Sequence, residues 1–141
     1  MAAAAPHRVT YRTPLPEKLG IRDGARVLIA SAPDGFAPGD LPARVQMLRA
    51  ARGPLDVVLV FATRRSQLAR RFGTLVHALA PAGRLWVAWP KRASGAPTDL
   101  SFPVVQRMGL DAGLVDNKSA AIDQTYQGLQ FVHRLVDRPR R

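Results

Sequence analysis

From Leu55 to Arg92 a continuous apolar run, an amphipathic stretch and a second apolar run follow one another. The first run, Leu55-Asp56-Val57-Val58-Leu59-Val60-Phe61, is apolar nearly throughout, as a strand buried on both faces requires. Leu68, Phe72, Leu75, Val76 and Leu79 then recur at i, i+4, i+7, i+8 and i+11, one face of a helix, with Arg70 and His77 on the other face. Leu79-Ala80-Pro81-Ala82-Gly83 supplies a helix stop and a tight turn. The second run, Leu85-Trp86-Val87-Ala88-Trp89, ends on Pro90-Lys91-Arg92. A strand, a helix and a strand in that order predict a parallel pair with a crossover helix, the unit of an α/β sheet.

The flanking segments extend this unit. Asp23-Gly24 introduces the apolar run Val27-Leu28-Ile29, a further buried strand over 25–30 that ends at Ser31-Ala32-Pro33-Asp34-Gly35. In 36–53 Leu41, Val45 and Leu48 stand at helical spacing behind Asp40 and Pro42, with Gly53 as a stop, which predicts a helix. A short strand over 44–48 competes with it. After the Ala93-Ser94-Gly95-Ala96 loop, Thr98-Asp99 reads as the N-cap of a helix that turns Leu100, Val104 and Met108 inward and closes at Gly113. Residues 117–123 and 128–134 read as a terminal hairpin joined through Gln124-Thr125-Tyr126-Gln127. The expected architecture is a Rossmann-like three-layer α/β sandwich, mostly parallel with a C-terminal antiparallel hairpin. One domain is expected over 14–136, between an N-terminal tail (1–13) and a basic C-terminal tail (137–141).

Composition bounds the chemistry. There is no cysteine, so disulfides, thiolate metal sites and a cysteine nucleophile are excluded, and His7, His77 and His133 have no metal-ligand spacing. No apolar run approaches the ~18 residues of a membrane span. The opening residues lack the charged-then-apolar order of a secretion signal, so the chain reads as cytoplasmic. The net charge is +11. A surplus of that kind suggests polyanions, but 18 of the 21 cations are arginine and alanine and proline are abundant, the imprint of a GC-biased genome. Distribution is more telling: no acid lies between Asp56 and Asp99, whereas Arg64, Arg65, Arg70, Arg71, Arg84, Lys91 and Arg92 do.

In such a sheet the strand-to-helix loops gather at the carboxyl edge, where ligands bind. Arg64 and Arg65 open a helix, where the macrodipole disfavours cations by about 0.3–1 kcal/mol, so an anion there would restore the balance. Thr63, Arg64, Arg65, Lys91 and Asp123 are the candidate ligand-binding residues, with Trp89 as a flat apolar wall. Two bland readings stay open: the arginines extend into water, or one of them pairs with Asp123. No catalytic residue is identified, because Asp34, Asp99 and Asp123 at unknown separation do not define acid/base chemistry. The expectation is a non-catalytic binding or regulatory module for an anionic small molecule or a partner's acidic group. Nucleic-acid binding through 64–92 is the alternative from charge.

Two resemblances add to this reading. The words Lys18-Leu19-Gly20-Ile21, Trp89-Pro90-Lys91, Thr98-Asp99-Leu100, Gly113-Leu114-Val115-Asp116-Asn117-Lys118 and Ala121-Ile122-Asp123 together resemble a family of small bacterial proteins catalogued as a domain of unknown function, over about residues 14–134. That resemblance implies fold and boundaries. More distantly, Gly24-Ala25-Arg26-Val27-Leu28-Ile29 and Leu79-Ala80-Pro81-Ala82-Gly83-Arg84-Leu85 resemble the first strand and a helix-to-strand passage of class I S-adenosylmethionine methyltransferases. The resemblance implies a methyltransferase-like fold, with a methyltransferase of degenerate cofactor loop as a further alternative. The loop departs from the family's acid and Gly-x-Gly turn: Ser31-Ala32-Pro33-Asp34-Gly35 has a rigid proline and one glycine. No acid for a ribose stands after a second strand.

Overall fold

The computed structural model describes residues 13–137; the expectations for 1–12 and 138–141 lie outside the described residues. Its elements are α1 (Leu15–Leu19), β1 (Arg26–Ala30), β2 (Gln46–Leu48), β3 (Leu55–Phe61), α2 (Arg65–Ala78), β4 (Leu79–Pro90), α3 (Phe102–Asp111), β5 (Leu114–Ala121) and β6 (Tyr126–His133). Short 3-10 turns cover Arg92–Ser94 and Leu135–Asp137. The strands form one sheet in the order β2-β1-β3-β4-β6-β5. β2, β1, β3 and β4 are mutually parallel; β6 runs antiparallel to both β4 and β5. β5 therefore points the same way as β4. This is the mostly parallel Rossmann-like sheet with an antiparallel C-terminal hairpin that the apolar runs predict.

Alternation along the strands makes two cores. Leu28, Val58, Val60, Leu85, Val87, Trp89, Leu129 and Phe131 face α2 and α3, which bring Leu68, Phe72, Leu75 and Val105. Val27, Val57, Leu59, Phe61, Trp86 and Ala88 face the opposite side, covered by Leu15 and Leu19 of α1 and by Phe36, Leu41 and Val45 of the long β1–β2 connection. This second layer is thin because α1 has five residues and the connection contains no helix. It is nonetheless pinned: the Trp86 indole Nε1 donates to the Leu19 carbonyl at 3.1 Å. Fully burying side chains of this size contributes about 1.5–3 kcal/mol each.

The helix expected within 36–53 is absent, and the competing strand is present as β2. Arg44 has φ 59°, a left-handed backbone that no helix accommodates, and Gln46–Leu48 pair with Arg26–Leu28. Leu41 and Val45 pack as loop residues on one face while Leu48 packs on the other. The N-cap of α3 is Ser101, whose Oγ accepts from the Val104 N–H, and not Thr98-Asp99. Val105 and Gly109 are the buried residues of α3; Val104 and Met108 pack at its margin.

Candidate functional site at the carboxyl edge

β1 connects outward to β2 on one side, while its other neighbour β3 leads through α2 to β4. The chain thus diverges between the carboxyl ends of β1 and β3, the place where an open α/β sheet leaves a crevice. A cavity of about 320 Å³ lies there. Its apolar lining is Val60 and Leu68 from the α2 side of the sheet, Phe61 and the Tyr126 ring from the other, and Pro33. Its polar lining is Ser31, Thr63, Gln67, Arg70 and Arg71.

Local chemistry sets each polar group. Ser31 closes β1 with φ 59°, a left-handed conformation that costs a non-glycine residue on the order of 1–2 kcal/mol. Its Oγ accepts from Arg71 Nη1 at 3.0 Å, so α2 reaches across the crevice to the end of β1. Gln67 folds back over the start of α2: its Oε1 accepts from Thr63 N (3.0 Å), Arg64 N (3.2 Å) and Thr63 Oγ1 (3.3 Å). Among the described residues, Gln67 Nε2 and the Tyr126 hydroxyl have no hydrogen-bond partner. Phe61 stands edge-on between Phe36 and Tyr126, with centroids 4.9 and 5.1 Å away, which holds these rings of the apolar lining in place.

The loops after β3 and β4 emerge side by side, as parallel neighbours require. The Ala62 N–H donates to the Ala88 carbonyl, while the Asp99 N–H and the Thr98 hydroxyl both donate to the Thr63 carbonyl, the latter at 2.6 Å. Through this contact Asp99 delivers its carboxylate to α2, where Oδ1 accepts from Arg65 N at 2.7 Å. The negative charge that the start of α2 calls for is thus supplied from within the chain. Asp99 caps a helix, but the one before it.

The six sequence-derived residues do not share one pocket. Thr63 lines the crevice; Arg64 and Arg65 are exposed at the helix start beside it. Trp89 is 2% exposed and belongs to the core under α2 and α3, so it presents no open face to the crevice. Lys91 and Asp123 line a separate hollow of about 440 Å³ with Lys18 and Ile122. Asp123 Oδ1 accepts from Thr125 N (2.8 Å) and Tyr126 N (2.7 Å), which makes it the turn residue of the hairpin and no arginine's partner. Among the described residues the ion pairs are Arg44–Asp23 and Arg107–Asp111, both exposed. Arg64, Arg65, Arg70, Arg71 and Lys91 have no carboxylate partner there. Arg84 stands at the opposite end of the strands with Arg22 and Asp23, so the basic block divides between the two rims. Ser31 and Tyr126 entered the sequence reading only as loop residues and Gln67 did not enter it; their meeting depends on strand order, which the sequence does not display.

The residues lining the crevice match S-adenosylmethionine only in part: Arg70 and Arg71 suit its α-carboxylate, whereas its ammonium and sulfonium find no carboxylate among the lining residues. Arg49, a cation, follows β2, so no acid stands at the end of that strand.

No protein-family model matches the chain, and no curated protein matches it. Solved structures do. A SAM-dependent methyltransferase from Aquifex aeolicus aligns with TM-score 0.58 at 17% identity, over 89% of this chain and 92% of that one. A TehB-like SAM-dependent methyltransferase from Corynebacterium glutamicum aligns with TM-score 0.57 at 13% identity, over 94% and 99%. Magnesium protoporphyrin IX methyltransferase from Synechocystis, solved with bound SAH, aligns with TM-score 0.56 at 11% identity, over 92% and 82%. At these identities the likeness is one of fold: the chain has the Rossmann-like fold of class I SAM-dependent methyltransferases.

Proposed function

We propose that this chain is a small-molecule-binding module on a methyltransferase-like scaffold, and that its carboxyl-edge crevice takes an anionic ligand or a partner's acidic group. The observation that carries the reading is the pair Arg70 and Arg71 lining the crevice, with Arg71 bridging to Ser31 Oγ and neither guanidinium paired with a carboxylate among the described residues. Guanidinium forks bind phosphate and carboxylate in bidentate geometry, and hydroxyls beside them complete the oxygen shell. Thr63 contributes at the crevice. Arg64, Arg65 and Lys91 add positive potential around the rim, which speeds encounter more than it deepens binding.

Calorimetry with inorganic phosphate and pyrophosphate tests the reading. Binding by the wild type that Arg71→Ala weakens by roughly tenfold or more supports it, a charged hydrogen bond being worth that much. Arg65→Ala and Lys91→Ala are expected to weaken binding less. Absence of heat with both anions would remove the small-molecule form of the reading. S-adenosylmethionine-dependent methyl transfer is the second reading, favoured by the fold likeness alone; heat on titration with S-adenosylmethionine and none with phosphate would replace the first by the second.

A further inference from the structure

The lining of the crevice specifies more than charge. Its polar lining holds two guanidinium groups, the Ser31 and Thr63 hydroxyls and the Gln67 Nε2, which has no hydrogen-bond partner among the described residues. The same cavity is lined by the Tyr126 ring, Pro33, Val60 and Leu68, with Phe61 edge-on to Tyr126. The cavity of about 320 Å³ lies near the lower end of the ~300–1,000 Å³ range of small-molecule sites, which favours a small ligand over a dinucleotide.

We infer that the ligand is a ring-bearing phosphate monoester of the nucleoside monophosphate class, its phosphate on Arg70 and Arg71 and its ring along Tyr126 and Pro33. The inference rests on the anion-binding reading above and names its ligand. Three features select this class. A phosphate monoester carries close to two negative charges and three acceptor oxygens, which two guanidinium forks and a serine hydroxyl match, whereas a carboxylate would leave donors unused. The start of α2 is already capped by Asp99 and Gln67, so the anion is read by side chains. Finally, a flat ring suits a wall of proline and aromatic surface that a sugar or an aliphatic acid would wet poorly.

The experiment titrates the wild-type chain with AMP, GMP, CMP and UMP, with adenosine, and with inorganic phosphate, following amide shifts by NMR. At least one monophosphate is expected to bind roughly tenfold or more tightly than inorganic phosphate, base–aromatic stacking being worth that much. Adenosine alone is expected to bind more weakly than AMP. Arg71→Ala should weaken the monophosphate and inorganic phosphate alike, by roughly tenfold. Tyr126→Leu, which retains apolar volume, should bring the monophosphate down to the affinity of inorganic phosphate and leave the latter unchanged. Equal affinity of all four monophosphates and inorganic phosphate overturns this inference while the anion reading stands. No binding of phosphate in any form overturns both. The comparison of ligands on the wild type needs no variant, so a poorly folding Tyr126→Leu cannot shelter the proposal.

Discussion

Asp99 and Gly109 show how far a single residue's role departs from its local signature. Thr98-Asp99 before an apolar run is a helix-start pattern, yet Asp99 Oδ1 serves the N-terminus of α2, 34 residues earlier in the chain. Asp99→Ala is expected to lower stability by about 0.5–2 kcal/mol, seen as a drop in the denaturation midpoint, because it frees the Arg65 N–H and removes the charge opposite the dipole. Asp99→Asn should retain most of that stability, since the amide oxygen still accepts. Gly109 sits in the last turn of α3, still within the helix, where alanine would ordinarily stabilise by up to about 1 kcal/mol. Here a Cβ would collide with the Phe131 ring, which is also set edge-on to Phe72. Gly109→Ala is therefore expected to destabilise by about 1–3 kcal/mol in thermal or chemical unfolding, with overpacking outweighing propensity.

Among the elements, those with long periodic patterns were legible and the shortest was not. β1, β3, the second half of β4 and α2 lie where apolar runs and helical spacing put them. β2 has three residues, too few for a period of two to register, so Leu41, Val45 and Leu48 matched a helical face by coincidence. What holds β2 and the segment after it is a side chain remote in sequence. Arg26 Nε donates to the Pro54 carbonyl (2.8 Å), Nη1 to Gln46 Oε1 (3.1 Å) and Nη2 to the Arg52 carbonyl (3.2 Å). Arg26→Ala is expected to speed amide hydrogen exchange across 46–54 while sparing β3 and β4, with a loss of about 1 kcal/mol in global stability. Unchanged exchange in that segment would show that the sheet pairing alone holds it.

At the scale of the molecule, the surplus of positive charge is dispersed. Arg22 and Arg84 lie at the amino rim of the sheet, while Arg64, Arg65, Arg70 and Arg71 lie at the carboxyl rim. Any retention on duplex DNA is therefore expected to be non-specific and to vanish between about 50 and 200 mM salt as counterions compete, checked by salt-gradient elution. Retention that persists above that range would indicate a continuous nucleic-acid footprint in place of a small-molecule crevice. The linear chain by itself determined the α/β class, the buried strands and the amphipathic helix, because these follow from side-chain periodicity within a few turns or pleats. It also determined that cations dominate 64–92. Only the tertiary structure decided which of them share a site. Strand order β2-β1-β3-β4-β6-β5 brings Ser31, Thr63, Arg71 and Tyr126 to one crevice and buries Trp89 beneath the helices. The reason is physical: pairing between distant strands is chosen by how the whole apolar surface can be buried at once, and no local pattern encodes that sum.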